Sequence, residues 1–259
     1  MELSIVIPVR NEAGNIAPLV AEIVAALDSA GVDYEIVYVD DGSTDETATE
    51  IARLQTSHRR LRLVSHAKSC GQSAAVRTGV KAARAPWIAT LDGDGQNDPA
   101  DIPSLWQIAK AAPATPPLLI AGHRARRQDG WTKRRASRIA NAIRRAMLHD
   151  DTPDTGCGLK LFPRALFLGL PYFDHMHRFL PALTLREGGV VRSLPVNHRP
   201  RERGASKYGV FDRLWVGITD LFGVMWLCKR KSLPVVTGDD IRAAPAEQHR
   251  RAAPADPVL

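Results

Sequence analysis

Short apolar runs alternate along the first half of the chain with longer stretches whose apolar residues recur every three or four positions. Leu3-Ser4-Ile5-Val6-Ile7-Pro8 is one such run, and Ile16, Leu19, Val20, Ile23, Val24 and Leu27 follow at helical spacing. Tyr34-Glu35-Ile36-Val37-Tyr38-Val39 repeats the strand signal and ends in Asp40-Asp41-Gly42-Ser43, where Ser43 and Glu46 read as a capping box for a helix reaching about Leu54. Further strands are expected at 61–65, 87–91 and 118–122, with a helix of small residues over about 72–83 between the first two. This alternation predicts an α/β fold: a mainly parallel sheet flanked by helices, with ligands at the carboxyl ends of its strands.

From Thr132 to about His149 a helix places Arg134, Arg138 and Arg145 on one side and Ile139, Ile143, Ala146 and Met147 on the other. The segment from Phe211 to Cys228 repeats the pattern, with Phe211, Leu214, Trp215, Ile218, Phe222 and Met225 on one face and Lys229-Arg230-Lys231 directly after. It is short, and Asp220 interrupts it, whereas crossing a bilayer takes roughly 20 apolar residues. A helix lying in the membrane interface fits, with Trp215 and Trp226 near the headgroups and the basic triplet on anionic lipid; a core or dimer helix is the competing reading. Beyond Ser232 the Ala-, Pro- and charge-rich stretch has no periodicity. Three units follow: one large domain over 1–210, an amphipathic interface helix with its basic end over 211–231, and a disordered tail over 232–259.

The chain has 259 residues, 44% of them hydrophobic, enough for a sizeable core. Its formal net charge of +7 invites a nucleic-acid reading, but Lys and Arg concentrate in 124–145 and 199–207, which suits discrete phosphates or anionic lipid. No recognised nucleic-acid motif is present, and no nucleic-acid partner is expected. Cys70, Cys157 and Cys228 lie far apart without metal-ligand spacing, and Met1-Glu2-Leu3 runs straight into a strand without a basic leader. A cytoplasmic setting is expected, peripheral on the inner face of the cytoplasmic membrane.

The candidate chemistry centres on Thr90-Leu91-Asp92-Gly93-Asp94-Gly95-Gln96, two carboxylates and an amide at i, i+2 and i+4 of a glycine turn. Such a set can converge on one hard cation, Mg²⁺ or Mn²⁺, that keeps open positions for substrate phosphates. An isolated Asp-Gly turn is more often simply solvated. Here the strand–helix alternation brings Glu12, Asp40, Asp41, Asp92, Asp94, Gln96 and Arg124 to one crevice. Neither G-x-G-x-x-G nor G-x-x-x-x-G-K-[ST] occurs in the first half, so carboxylates and a metal would recognise a nucleotide here. Cys157 reads as packing, since no base stands beside it in sequence.

In order along residues 3–231 stand Ile7-Pro8-Val9-Arg10-Asn11-Glu12, Asp40-Asp41-Gly42-Ser43-Thr44-Asp45, Gly71-Gln72-Ser73-Ala74-Ala75, Asp92-Gly93-Asp94-Gly95-Gln96-Asn97-Asp98-Pro99, Gly122-His123-Arg124, Asp154-Thr155-Gly156-Cys157-Gly158 and Arg201-Glu202-Arg203-Gly204-Ala205-Ser206-Lys207-Tyr208. Together they resemble the family 2 glycosyltransferases of GT-A fold, in the polyprenyl-phosphate branch typified by dolichol-phosphate mannosyltransferase and the undecaprenyl-phosphate sugar transferases. The resemblance implies that Pro8, Glu12 and Asp41 line the nucleotide pocket with Asp40 beside them. It implies that Asp92, Asp94 and Gln96 handle a metal-bound diphosphate, and that Arg124, Arg135, Arg201 and Lys207 surround the phosphates in transit, with Ser206 positioning their loop. Arg10, Gln72 and Asp154 join the substrate-binding set on the same ground. Arg10 stands where the family usually has an aromatic residue, and many bacterial relatives continue into transmembrane helices.

The implied reaction is an inverting, metal-dependent transfer of a hexose from a nucleotide sugar, GDP-mannose or a UDP-hexose, to a polyprenyl phosphate. A saccharide or membrane glycolipid acceptor is the alternative, and the two basic amphipathic segments favour the phospholipid-like one. The expected partners are the donor, the lipid acceptor, the membrane surface, and a separate membrane protein or a second copy of the chain.

Overall fold

The computed structural model describes residues 1–124, 144–200 and 210–232, with the side chains of the last segment described from 217 onward. Among these, seven strands form one sheet: β1 (Leu3–Val9), β2 (Tyr34–Asp40), β3 (Leu61–Ser65), β4 (Trp87–Thr90), β5 (Leu118–Arg124), β6 (Lys160–Pro163) and β7 (Val190–Val196), in the spatial order β3-β2-β1-β4-β6-β5-β7. The β1–β2, β1–β4, β2–β3 and β5–β7 pairs are parallel, and β6 runs antiparallel to both β4 and β5. The mainly parallel sheet agrees with the sequence. The short antiparallel β6 and the last strand β7 are the two that the apolar pattern did not announce.

Along β1, Leu3, Ile5 and Ile7 join one buried cluster and Val6 joins the other, the period-two alternation of a strand covered on both faces. On the first face lie α1 (Ala13–Ser29), α2 (Thr47–Gln55) and α4 (Ile102–Ala111), which contribute Ile16, Ile23, Ile51 and Leu105. On the second lie α3 (Gln72–Ala82), α5 (Arg164–Gly169) and α6 (Leu180–Arg186), which contribute Val76, Val80, Phe167 and Leu183. Burial of that many aliphatic side chains, each stabilising by about 1.5–3 kcal/mol, fixes the sheet as a rigid base for the loops at its carboxyl edge.

The loop after β2 departs from the expected capping box. The Ser43 hydroxyl donates to Asp40 and accepts from the Asn11 backbone N–H at 2.9 Å. Asp45 accepts from the Thr47 backbone N–H at 3.0 Å and so serves the start of α2 instead. The cause is Gly42, whose φ of +67° turns the chain back toward the β1 loop. Asn11 completes the tie, accepting from the Thr44 N–H at 2.8 Å.

The last helix, α7 (Val210–Lys229), also differs from expectation. Met225 does not share a face with Ile218 and Phe222: it packs inward with Leu221, Cys228 and the fully buried Val224 against the second core. Asp220 pairs with His175 at 3.1 Å, and the Arg186 guanidinium donates to the Leu227 carbonyl at 3.0 Å. Ile218, Phe222 and Trp226, each four residues on, remain exposed, the last two at 55% and 57%. The helix is thus apolar on two sides, which a one-face reading of the sequence could not separate. Among the described residues no helix is long and apolar enough to cross a membrane. The helix expected over 132–149 lies outside the described residues except at its end, where 144–148 is helical; the tail expected from 232 lies outside them beyond its first residue.

Substituting Gly42 by Ala should destabilise the fold by about 1–3 kcal/mol, because a Cβ there would meet the Lys68 carbonyl carbon and the Ser69 nitrogen at 2.7 Å and a positive φ disfavours a side chain. Thermal melting of Gly42→Ala beside the parent checks this, and an unchanged Tm would refute it.

Candidate active site

The carboxyl ends of β1, β4 and β5 and the start of β6 surround a cavity of about 370 Å³, lined among others by Pro8, Gln72, Asp92, Arg124, Asp154, Lys160, His177 and Arg178. Each side chain arrives by a distinct device. Pro8 and Asp92 come from the ends of β1 and β4, and Arg124 is the last residue of β5. Gln72 opens α3, and its amide donates to Asp92 Oδ1 at 2.8 Å. The Asp92 backbone N–H donates to Asn97 Oδ1 at 3.0 Å, which closes the acidic turn on itself. A Cβ on Gly158 would collide with the Asp92 carboxylate, so the residue facing it has to be glycine.

Burial pushes the Asp92 carboxyl up, the neighbouring Asp94 pushes it further, and Lys160 and Arg124 oppose both; the net result is a pKa of about 6. Two carboxylates that disfavour each other's charge in a half-buried turn suit a divalent cation, which would relieve that repulsion. Asp94 itself accepts from the Gln96 backbone N–H at 3.1 Å and lines a second cavity of about 190 Å³ with Glu22 and Arg199. The Gln96 side-chain amide donates to the Arg199 carbonyl at 3.4 Å, and the Gln96 backbone carbonyl accepts from the Arg199 backbone N–H at 2.9 Å. The side-chain nitrogen of the expected third ligand is thus engaged with the segment after β7.

Arg124 and Asp154 form a bidentate pair, Nε to Oδ2 at 2.6 Å and Nη2 to Oδ1 at 2.8 Å. Asp154 is buried, and the hydrogen bond to it holds the guanidinium firmly charged. Cys157 is 1% exposed and burial pushes its thiol up, consistent with packing and not with a nucleophile.

Asp40 and Asp41 are not among the residues lining the large cavity; both are buried and serve the loops beside it. Asp41 takes hydrogen bonds from the Cys70 and Gly71 backbone N–H groups at 2.8 and 2.9 Å and from Ser69 at 2.7 Å, and lies 2.8 Å from His66 Nδ1. Burial alone would raise its pKa, but those partners bring it below the ordinary carboxylate value. Asp41, His66 and Cys70 also bring potential ligand atoms within 4.8 Å of one another. The second His66 nitrogen is on Thr78 at 2.9 Å, so this group is a closed hydrogen-bonded network shaping residues 66–71. Glu12 accepts from the Asn15 side-chain amide at 2.7 Å, and Arg10 is exposed and not among the residues lining the cavity. Arg135, Arg201, Ser206 and Lys207 lie outside the described residues.

Sequence reasoning missed three titratable lining residues. Lys160 opens β6, where alternation with Leu159 and Leu161 resembles an ordinary edge lysine. His177 and Arg178 belong to a short turn without a motif; His177 Nδ1 lies 2.7 Å from the Ser73 hydroxyl, and burial keeps the imidazole neutral.

A doubly covered, mainly parallel sheet thus carries an acidic turn and a cationic wall at its carboxyl edge, the architecture of the GT-A fold. Residues 4–169 match the model of the family described as glycosyl transferase family 2, and the chain belongs to that family. It is 37% identical over 245 residues to dodecaprenyl-phosphate galacturonate synthase of Rhizobium johnstonii, covering 90% of this chain and 69% of that protein. It is 35% identical to the undecaprenyl-phosphate 4-deoxy-4-formamido-L-arabinose transferase of Edwardsiella ictaluri, covering 80% of this chain and 63% of that one, so the chain spans about two thirds of the length of these relatives. Among solved structures, glucosyl-3-phosphoglycerate synthase from Mycobacterium tuberculosis in complex with Mn²⁺, uridine diphosphate and phosphoglyceric acid shares the fold at a TM-score of 0.61 and 17% identity, over 90% of this chain and 80% of that one.

Because the Asp92 carboxyl titrates near 6 in the folded chain against about 3.9 when unfolded, folding binds a proton in between, and stability falls as pH rises from about 4 through 6. Asp92→Asn should therefore melt a few degrees above the parent at pH 7.5 in chelator, with the gain fading as pH falls toward 4. A gain independent of pH, or none, would contradict the raised pKa.

Proposed function

We propose that this chain transfers a hexose from a nucleotide sugar to the phosphate of a polyprenyl phosphate at the membrane surface, with inversion and with Mg²⁺ or Mn²⁺. The observation that carries the reading is one cavity whose metal-suited Asp92 faces the cations Arg124, Lys160 and Arg178. Acidic and basic groups so juxtaposed suit a reaction in which two phosphates must approach one sugar carbon. The relatives named for undecaprenyl- and dodecaprenyl-phosphate products support the acceptor class.

An acceptor phosphate oxygen forms the bond to the anomeric carbon as the bond to the nucleoside diphosphate breaks, and the diphosphate leaves with the electron pair. A phosphate monoester is already ionised near neutral pH, so no general base is needed and the chemical demand falls on the leaving group. Asp92 and Asp94 would hold the divalent ion, which supplies charge neutralisation of the departing diphosphate. Gln72 fixes the Asp92 carboxylate and Asp154 fixes the Arg124 guanidinium, and in this proposal the nucleoside lies toward the loops of β1 and β2. Arg135, Arg201, Ser206 and Lys207 complete the phosphate-handling set in this proposal.

The stripe Ile218, Phe222 and Trp226, followed by Lys229, Arg230 and Lys231, supports a peripheral seat on anionic lipid; the Arg230 guanidinium lies 6.0 Å from the Trp226 ring centre. The seat places the cavity within reach of an acceptor that cannot leave the bilayer.

Incubating the protein with Mg²⁺ or Mn²⁺, undecaprenyl phosphate in detergent and a panel of UDP- and GDP-hexoses should yield a lipid-linked sugar by mass spectrometry. Asp94→Ala should lower its rate at least about 100-fold with little change in Tm. Nucleotide release with only a saccharide acceptor, or equal loss of rate and fold in Asp94→Ala, would overturn the reading. In a separate assay, Phe222→Ser with Trp226→Ser should abolish co-flotation with vesicles containing phosphatidylglycerol, and retained binding would remove α7 from the seat.

A further inference from the structure

The cavity lining contains three cationic side chains, Arg124, Lys160 and Arg178, but only two carboxylates, Asp92 and Asp154. Both Asp154 oxygens already take Arg124 hydrogen bonds, and Asp92 holds Gln72 in the acidic turn. Lys160 is different. It is 4% exposed, its ammonium donates to the carbonyl oxygens of Thr155, at 3.2 Å, and Cys157, and among the described residues it forms no ion pair. Backbone carbonyls offset only part of the cost of taking an ammonium out of water. A buried cation at the wall of an open cavity, held by carbonyls and acted on by Asp92 and Asp154 without a direct ion pair, is suited to an anionic ligand.

The sheet order says which anion. Along the carboxyl edge the loops of β2 and β1 carry Asp40, Asp41 and Glu12, β4 carries the acidic turn, and β6 and β5 carry Lys160 and Arg124. Lys160 lies at this edge because β6 is antiparallel, which sets its first residue directly opposite Thr90, two residues before Asp92. In an in-line displacement the entering and leaving oxygens lie on opposite sides of the carbon attacked. With the diphosphate at the β4 turn and the nucleoside toward β1 and β2, the entering phosphate comes from the β6–β5 side. Arg124 meets it with two of its donors already on Asp154.

We propose that Lys160 is a substrate-binding residue whose ammonium receives the phosphate of the isoprenoid acceptor, on the side of the cavity away from the nucleoside. The assignment rests on the acceptor class proposed above. It adds a fixed cation to the phosphate-handling arginines that sequence motifs supply, and it gives the 154–158 turn a purpose: the Thr155 and Cys157 carbonyls aim the ammonium.

Lys160→Gln keeps a donor for those carbonyls and removes the charge, whereas Lys160→Arg keeps the charge. Titration calorimetry with farnesyl phosphate, and separately with UDP and GDP in Mg²⁺, reads the two sides of the cavity, with Tm recorded for each variant. Lys160→Gln should weaken farnesyl phosphate binding at least about tenfold, the loss expected for one charge-assisted hydrogen bond, and leave the binding nucleotide within about twofold. Lys160→Arg should recover most of that loss. If Lys160→Gln does not fold, Lys160→Arg binding farnesyl phosphate as the parent does still supports the charge, and a tenfold loss there overturns it. Unchanged farnesyl phosphate affinity in Lys160→Gln, with or without a lower Tm, reduces Lys160 to a staple of the turn; a loss confined to nucleotide moves it to the donor. A parent chain that binds nucleotide but no isoprenoid phosphate defeats the acceptor reading itself, and this assignment with it.

Discussion

The site depends on keeping a negative charge where burial and a like charge both oppose it. Asp92 is held there by four separate parts of the chain: Asn97 takes its backbone N–H, Gln72 donates to its carboxylate, Gly158 leaves room for it, and Lys160 with Arg124 supplies opposite charge. Only the first of these lies within the acidic turn; the other three come from outside it. The turn therefore needs the α3 start, the 154–158 turn and β6 in place, and the fold can be viewed as the means of bringing those pieces to the end of β4.

The antiparallel β6 is what permits this. A purely parallel sheet presents only strand ends at its carboxyl edge, each followed by a loop leading away. Inserting one reversed strand between β4 and β5 offers a strand beginning at the same edge, with the turn before it folded over the cavity. Cations can then be carried on a rigid ladder directly beside the acidic turn, where a loop would position them less well. The division into an acidic half over β2, β1 and β4 and a basic half over β6 and β5 follows from strand order.

Much of this was legible in the residues. Runs such as Leu3–Pro8 and Tyr34–Val39 are apolar at nearly every position because both faces are covered, with the buried Ser4 hydroxyl donating to Glu35, and they marked the parallel strands. Asp92 and Asp94 were legible because glycine spacing and carboxylate spacing coincide. Lys160 was not, since a four-residue strand carries too few positions to show a period, and its partner Thr90 is 70 residues distant in the chain. Asp41 illustrates the converse: its place in a motif was plain, but whether its oxygens face a ligand or the chain's own 66–71 loop is settled only by the turn that Gly42 makes. The two apolar sides of α7 were likewise indistinguishable until Val224 and Trp226 found opposite surroundings.

Arg199 has a consequence of another kind. Its guanidinium joins Glu22 at 2.8 Å and Asp98 at 2.7 Å, its backbone is paired with Gln96, and beside it Asn197 donates to Asp101 while His198 bridges Asn97. Residues 96–101 and 197–199 are laced together across about 100 residues of chain, and α1 joins them through Glu22. Segments so joined have to be exchanged together. A chimaera that imports the stretch after β7 from a relative without also importing the acidic turn and the matching position on α1 would combine halves that were never fitted to each other.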